Sequence, residues 1–185
     1  MRIILVGYGV VGKGVTTILS RKYVEKIKGY GFNPKIVAIA DIDGAVICPR
    51  GLSPEKLEAI KQRGYPISAD PDFGKPGISA LDVIESVEAE VVVEVTPVNI
   101  KNAEPALSHI TKAFKTGKHV VTTNKGPLAL AMPALTELAE YNNVYLRFSG
   151  TVGGGTPMLE FAKRCLAGDR ILAIRGILNG TTNYI

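Results

Sequence analysis

Residues 3–12 read Ile3-Ile4-Leu5-Val6-Gly7-Tyr8-Gly9-Val10-Val11-Gly12, followed by Lys13 and Gly14. The apolar run Ile3–Val6 lacks polar alternation, which suits a strand buried on both faces of a parallel sheet. It stops at Gly7, and a helical pattern then places Val11, Val15, Ile18 and Leu19 on one face. Strand, glycine turn and helix in this order put a G-x-G-x-x-G fingerprint in its proper setting. Gly7 permits the tight turn, Gly9 lets a pyrophosphate approach the backbone, and Gly12 lets helix and strand pack closely. The first helical turn offers unpaired N–H groups and a partial positive charge to phosphate. Gly7, Tyr8, Gly9, Val10, Val11 and Gly12 are therefore candidate residues for holding a dinucleotide. The competing readings are a turn without ligand, or FAD or another nucleotide in its place.

Moving outward, the helix is expected to continue through Val24 and Ile27 and to end near Gly29 and Gly31. A second strand, Ile36–Ala40, closes at Asp41, which stands 29 residues after Gly12. The usual interval is about 20 residues, and a longer first helix accounts for the difference. A carboxylate there accepts hydrogen bonds from both ribose hydroxyls and repels a 2′-phosphate. At about 4 Å the repulsion is about 4 kcal/mol for an effective dielectric near 20, and about 1 kcal/mol in water. Asp43 adds to it, while Arg50 and Lys56 offset it if their loop folds over the cofactor. NAD is the expected cofactor, preferred over NADP.

The remaining chain alternates strand and helix. Ser53-Pro54 caps a helix carrying Leu57 and Ile60. Residues 65–78, rich in Pro, Gly and Asp, read as a loop. A short helix covers Ala80–Val87, a strand Glu90–Val95, a helix Ala103–Lys115 and a strand His119–Thr122. Further on come a helix at Pro133–Tyr141, a strand at Val144–Phe148, a helix at Pro157–Leu166 capped by Thr156, and a strand at Ile171–Leu178. This order predicts an α/β fold: a doubly wound parallel (Rossmann) sheet over residues 1–149, with helices on both faces.

Composition narrows the function classes. The apolar share is 46% and the charged share 21%, ordinary for a globular domain. No apolar run approaches the roughly 18 residues of a membrane span. The N-terminal run is too short for a signal peptide. Net charge is +5, yet Arg21, Lys22, Lys26 and Lys28 are interleaved with Val24 and Ile27 as on a solvated helix face, so nucleic acid is not an expected partner. Cys48 and Cys165 form no spacing pattern, which favours a reduced, cytoplasmic setting. Cys165 reads as an apolar filler, and His109 and His119 as structural residues.

Ligands of open parallel sheets bind beyond the carboxyl ends of the strands. Three segments fall there. Glu94-Val95-Thr96-Pro97 ends a strand at a proline and presents Thr96 and Pro97. Thr122-Thr123-Asn124-Lys125-Gly126 follows another, so Asn124 and Lys125 are candidates, with Lys125 placed to meet a substrate or cofactor oxygen. Gly150-Thr151-Val152-Gly153-Gly154-Gly155-Thr156-Pro157 combines close-approach glycines with a helix start, suited to an anion or, through carbonyls, to a monovalent cation.

Together VGYGVVGKG (6–14), VEVTP (93–97), TTNKGPLA (122–129), SGTVGGGTP (149–157) and RGILNGTTNYI (175–185) resemble the homoserine dehydrogenase family over essentially the whole chain. The resemblance implies NAD(P)-dependent interconversion of L-homoserine and L-aspartate 4-semialdehyde. It implies a catalytic role for Lys125 at cofactor and substrate, a pyrophosphate loop at Tyr8–Lys13, and a contact from Thr96 near the nicotinamide. It also implies that residues 150–185 are the first elements of a second, α+β catalytic domain, with the beginning of a substrate pocket at Gly180 and Thr181. A family sodium site maps to Ser149, Val152, Gly154 and Thr156, although Ser149 stands where relatives often carry glutamate. A homodimer or higher homo-oligomer is expected. The family continues past the GTTNYI segment into an acidic substrate clamp and a second lysine, so this chain is expected to be a fragment that binds cofactor but turns over poorly. The alternatives are another amino-acid or semialdehyde dehydrogenase, disfavoured because Cys165 is poorly set as a nucleophile, and a noncatalytic NAD-binding module.

Overall fold

The computed structural model describes residues 1–22, 28–64 and 66–177. The expected helical positions Val24 and Ile27, the strand end Leu178, and the substrate-pocket residues Gly180 and Thr181 lie outside the described residues.

The core is one seven-stranded sheet. In chain order its strands are β1 (Arg2–Val6), β2 (Lys35–Asp41), β3 (Gly44–Ile47), β4 (Gly74–Pro76), β5 (Val91–Glu94), β6 (His119–Thr122) and β7 (Leu146–Arg147). The helices are α1 (Val10–Thr17), running on into a π-helical stretch at Ile18–Lys22, then α2 (Pro54–Arg63), α3 (Ala80–Ser86), α4 (Ala106–Lys115), α5 (Lys125–Tyr141) and α6 (Met158–Cys165). Strand order across the sheet is β4-β3-β2-β1-β5-β6-β7. The β2-β1-β5-β6-β7 portion is parallel throughout.

Alternation along β1 divides the core in two, because successive side chains leave opposite faces of a strand. Ile4 and Val6 join Val37, Val92, Ile110, Phe114 and Val120 on one face. Ile3 and Leu5 join Ile39, Leu57, Ile60, Val91 and Val93 on the other. Helices α3, α4 and α5 cover the first face, and α2 covers the second. The doubly wound architecture is therefore as the sequence predicts.

Five local expectations need correction. The sheet is mixed: β3 pairs antiparallel with β2 and with β4, where residues 65–78 read as loop. β3 hides behind a tight turn at Ile42-Asp43, and β4 is Gly-Lys-Pro, a composition that signals a turn. Gly44 is required there, at φ +134°, because a side chain would meet Lys75 O at 2.4 Å. Second, α5 begins at Lys125 and kinks at Ala131 (φ −141°, ψ 19°), so Pro133 sits inside the helix. Proline lacks an N–H and clashes with the preceding turn, which is why its helix reads from sequence as starting there. Third, α6 begins after Pro157, and Thr156 supplies no side-chain cap. Fourth, 171–177 carries no strand, since no ladder pairs with it among the described residues; Leu172 and Ile174 remain 84% and 72% exposed. Cys165 is likewise exposed and fills no core space.

Candidate dinucleotide-binding site

Parallel register brings the carboxyl ends of five strands to one edge. Val6 pairs with Ala40 and with Glu94, Glu94 with Thr122, and Val121 with Arg147. The segments following these positions all face the same side, as the parallel topology requires. Two cavities open there. One, of about 640 Å³, is lined by the Gly7–Val11 turn, Asp41, Val95–Val98, Thr123, Lys125, Gly150 and Gly154. The other, of about 580 Å³, shares Gly7, Asp41, Thr96, Pro97 and Val98 and adds Ile42, Ile78, Ala80 and His109. The shared lining makes them two lobes of one site, each of a size suited to a small-molecule ligand.

The fingerprint glycines occupy three different environments. Gly7 has φ +97°, and a Cβ would lie 2.8 Å from Val95 O. Gly12 packs so tightly that a Cβ would lie 2.2 Å from Gly7 O. Gly9 has nothing within 4 Å of its Cβ position. The space is left over the glycine assigned to ligand approach, and filled at the two assigned to folding. Gly9 is the N-cap of α1, without a side-chain cap and without acidic residues in the first turn. Val10, at 91% exposure, leaves the opening turn accessible. These are the conditions for an anion at a helix start.

Asp41 sits against this turn. Its Oδ2 accepts from Tyr8 N at 2.6 Å and its Oδ1 from Ile42 N at 2.8 Å. The carboxylate is thus oriented by the loop it flanks and lines both lobes. The Tyr8 side chain turns away into the core, fully buried, where burial pushes its phenol up. Its part in the turn is played by backbone alone. The cations considered as offsets lie elsewhere. Lys56 Nζ is paired with Asp70 at 2.8 Å and Asp72 at 2.6 Å. Arg50 lines a groove with Lys35 and Ile36 at the opposite end of β2. Asp43 Oδ2 accepts from Ser68 N at 2.8 Å, so it serves the hairpin arm.

At the β5 and β6 ends, Asn124 is a bridge between loops. Its Oδ1 accepts from Gly126 N at 3.1 Å as N-cap of α5, and its Nδ2 donates to Thr96 O at 3.1 Å and Pro97 O at 3.3 Å. Gly126 passes so near this loop that a Cβ would lie 2.5 Å from Asn99 O. The neighbouring Lys125 is exposed at the cavity wall, and its ammonium has no ion pair among the described residues. Gly150 packs on Thr123, where a Cβ would lie 3.0 Å from its methyl group, and this holds the glycine-rich turn at the cavity.

The cation quartet is split. Gly154 lines the cofactor cavity, whereas Ser149 lines a separate groove with Arg147, Glu160, Lys163 and Arg164. Ser149 Oγ donates to Glu160 Oε1 at 2.8 Å, a bond that chiefly holds the Glu160 carboxyl below its usual range. Thr156 O accepts from Met158 N at 2.8 Å. Three basic side chains around Ser149 make that position a poor seat for a cation.

Glu94 is the residue that sequence reading missed. It is fully buried at the end of β5, and its Oε1 accepts from Thr96 N at 3.1 Å and from the Thr96 hydroxyl. The available signal was a carboxylate closing the otherwise apolar run Val91-Val92-Val93. His109 is buried beside it, with Nδ1 3.7 Å from Glu94 Oε1 and unpartnered among the described residues. His119 accepts from Tyr145 N at 3.0 Å, a structural role as expected.

Comparison with known proteins bears on this geometry. Residues 7–149 match the family model "Homoserine dehydrogenase, NAD binding domain", and residues 157–185 match the model "Homoserine dehydrogenase". A homoserine dehydrogenase of Methanocaldococcus jannaschii is 48% identical over all of this chain and 54% of its own length. An NAD(+)-dependent homoserine dehydrogenase of Pseudomonas canavaninivorans is 37% identical over all of this chain and 52% of its own. Among solved structures, a hyperthermophilic archaeal homoserine dehydrogenase mutant in complex with NADPH superposes with a TM-score of 0.76 at 27% identity, covering 90% of this chain and 49% of that one. The chain spans about half the length of the curated relatives it matches.

Proposed function

The chain belongs to the homoserine dehydrogenase family, whose NAD-binding model covers 7–149, and on that premise we propose that its two-lobed cavity binds NAD(P) for the interconversion of L-homoserine and L-aspartate 4-semialdehyde. The supporting observation is the convergence of Gly9, Asp41, Thr96 and Lys125 on one cavity. Asp41 ends β2 and Lys125 follows β6, strands three spacings apart, or about 14 Å. That separation suits an extended dinucleotide more than a single nucleotide.

In this reading the α1 amides at Gly9–Val11 hold the pyrophosphate, and Asp41 accepts from the adenosine ribose hydroxyls. The adenine rests in the apolar lobe between Ile42, Ile78 and Val98. Bound there, the dinucleotide supplies the redox chemistry. Lys125 meets an oxygen of substrate or cofactor, where its charge stabilises developing negative charge. Gly180 and Thr181 would begin the substrate side. A sodium ion held jointly by Ser149, Val152, Gly154 and Thr156 fits poorly, because Ser149 lines a basic groove while Gly154 lines the cavity.

NAD is the favoured cofactor. The Asp41 carboxylate lines both lobes, where it would repel a 2′-phosphate. Competitive titration should show NAD binding tighter than NADP, with Asp41→Ala narrowing the difference; tighter NADP binding refutes this preference. Homo-oligomerisation belongs to the same reading, supported by the exposed Phe161, Leu172 and Ile174, and sedimentation measures it. For the activity, L-homoserine and NAD are incubated with the protein and the reduced cofactor is followed by absorbance. Lys125→Ala should abolish any turnover while largely preserving cofactor affinity. Calorimetry showing no uptake of oxidised or reduced cofactor would overturn the proposal.

A further inference from the structure

Thr96 lines both lobes of the cavity, and its hydroxyl hydrogen is already committed. Glu94 Oε1 accepts from both the Thr96 N–H, at 3.1 Å, and the Thr96 O–H. Asn124 Nδ2 approaches Thr96 Oγ1 at 3.4 Å from the other side. A hydroxyl has one hydrogen and two lone pairs. With the hydrogen given to Glu94 and one lone pair facing Asn124, a single lone pair is left for a ligand.

Glu94 also ties together the loops that carry Thr96 and Lys125. Thr122 Oγ1 donates to Glu94 O at 2.9 Å and stands 3.4 Å from Glu94 Oε2. The same Oγ1 accepts from Asn124 N at 2.9 Å, and Asn124 reaches back to Thr96 O and Pro97 O. The network closes on itself beneath the cavity. Glu94, Thr122 and Asn124 are buried, so it is shielded from competing water, and such networks hold their members in one arrangement.

We propose that Glu94 is a positioning residue that fixes Thr96 as a hydrogen-bond acceptor, selecting a ligand group that carries N–H donors at this wall of the cavity. This inference rests on the dinucleotide reading above. That cofactor carries N–H donors on the nicotinamide amide and on the adenine 6-amino group; with adenine between Ile42, Ile78 and Val98 in that reading, the amide is the donor assigned to Thr96. On this assignment the adenosine half does not use this lone pair, so Glu94 should govern one half of the ligand and not the other.

The test compares NADH with ADP-ribose, which lacks the nicotinamide, by calorimetry on the chain and its variants. Glu94→Met removes the acceptor at similar volume and should weaken NADH by about tenfold, a loss of one good hydrogen bond, while ADP-ribose stays within about twofold. Glu94→Gln keeps an oxygen for Thr96 and should restore NADH affinity to within about threefold of the parent. Thr96→Val should mimic Glu94→Met, and the double variant should lose no more than either single one, since both break the same bond. Equal losses for both ligands, with no rescue by glutamine, would show a merely structural role and overturn the proposal. Full NADH affinity in Glu94→Met or in Thr96→Val would overturn it too. Should Glu94→Met fail to fold, Thr96→Val and Glu94→Gln decide by the same criterion. A parent chain that binds neither ligand would refute the underlying dinucleotide reading; a parent that binds both, with variants showing no discrimination, refutes only the role of Glu94.

Discussion

Gly9 and Gly12 stand three residues apart and answer opposite demands. A methyl group on Gly9 enters empty space, and its φ of −77° is one any residue adopts. Gly9→Ala should therefore melt like the parent, within the roughly 0.5 kcal/mol typical of surface substitutions, yet lose cofactor affinity because the methyl group occupies the pyrophosphate's approach. A methyl group on Gly12 meets Gly7 O at 2.2 Å. Gly12→Ala should lower stability by about 1–3 kcal/mol, as overpacking does, and weaken the cofactor as well. Paired thermal melts and calorimetry separate the two cases. These glycines were legible from sequence because their requirement is local: a turn, a helix start and a strand end within ten residues. Tyr8 and Asn124 were candidates by sequence without their roles being legible, and Glu94 was not singled out. Which way Tyr8 points, and that Asn124 and Glu94 knit two loops, depends on partners as far as 49 residues away.

Among the elements, the hairpin arm β3–β4 and its link to α2 carry the main buried ionic cluster described. The Asp70 side chain is 1% exposed and meets Lys56 Nζ at 2.8 Å and Arg63 Nη1 at 3.3 Å. Burial acts to raise its pKa, but hydrogen bonds from Lys56 and from the N–H groups of Phe73 and Asp72 outweigh this and hold it below the usual range. A depressed carboxyl contributes stability above its unfolded value, near about 3.9, and loses that contribution as pH falls through the folded value. Melting temperature should therefore drop below about pH 4, and Asp70→Asn should flatten this part of the profile while costing about 1–3 kcal/mol at neutral pH. Circular-dichroism melts from pH 2.5 to 7 check both. At the start of α2, Ser53 Oγ accepts from Lys56 N at 3.2 Å, so Ser53→Ala should cost about 1 kcal/mol. That cap was readable from Ser53-Pro54. The arm itself was not, because a three-residue strand of Gly, Lys and Pro has no hydrophobic period and exists only by pairing with β3.

For the whole molecule, cofactor binding and stability are one equilibrium. A ligand at 100 times its dissociation constant adds about 2.7 kcal/mol to the folded state. In a chain of this size that raises the melting temperature by about 5–10 °C, and the rise should be larger for NAD than for NADP at equal concentration. No helix among the described residues is long and apolar enough to cross a membrane. The chain by itself determined the doubly wound core and the glycine turn, because buried-strand runs, helical periodicity and turn chemistry are written in neighbouring residues. It also determined the family, through segments whose residue types recur together. Tertiary structure alone decided that β3 and β4 complete the sheet, that Lys56 and Arg50 are drawn away from Asp41, and that Ser149 faces Glu160 across a basic groove. Those outcomes turn on distances between residues remote in sequence, where charge pairing and ladder geometry choose among partners that composition leaves equivalent.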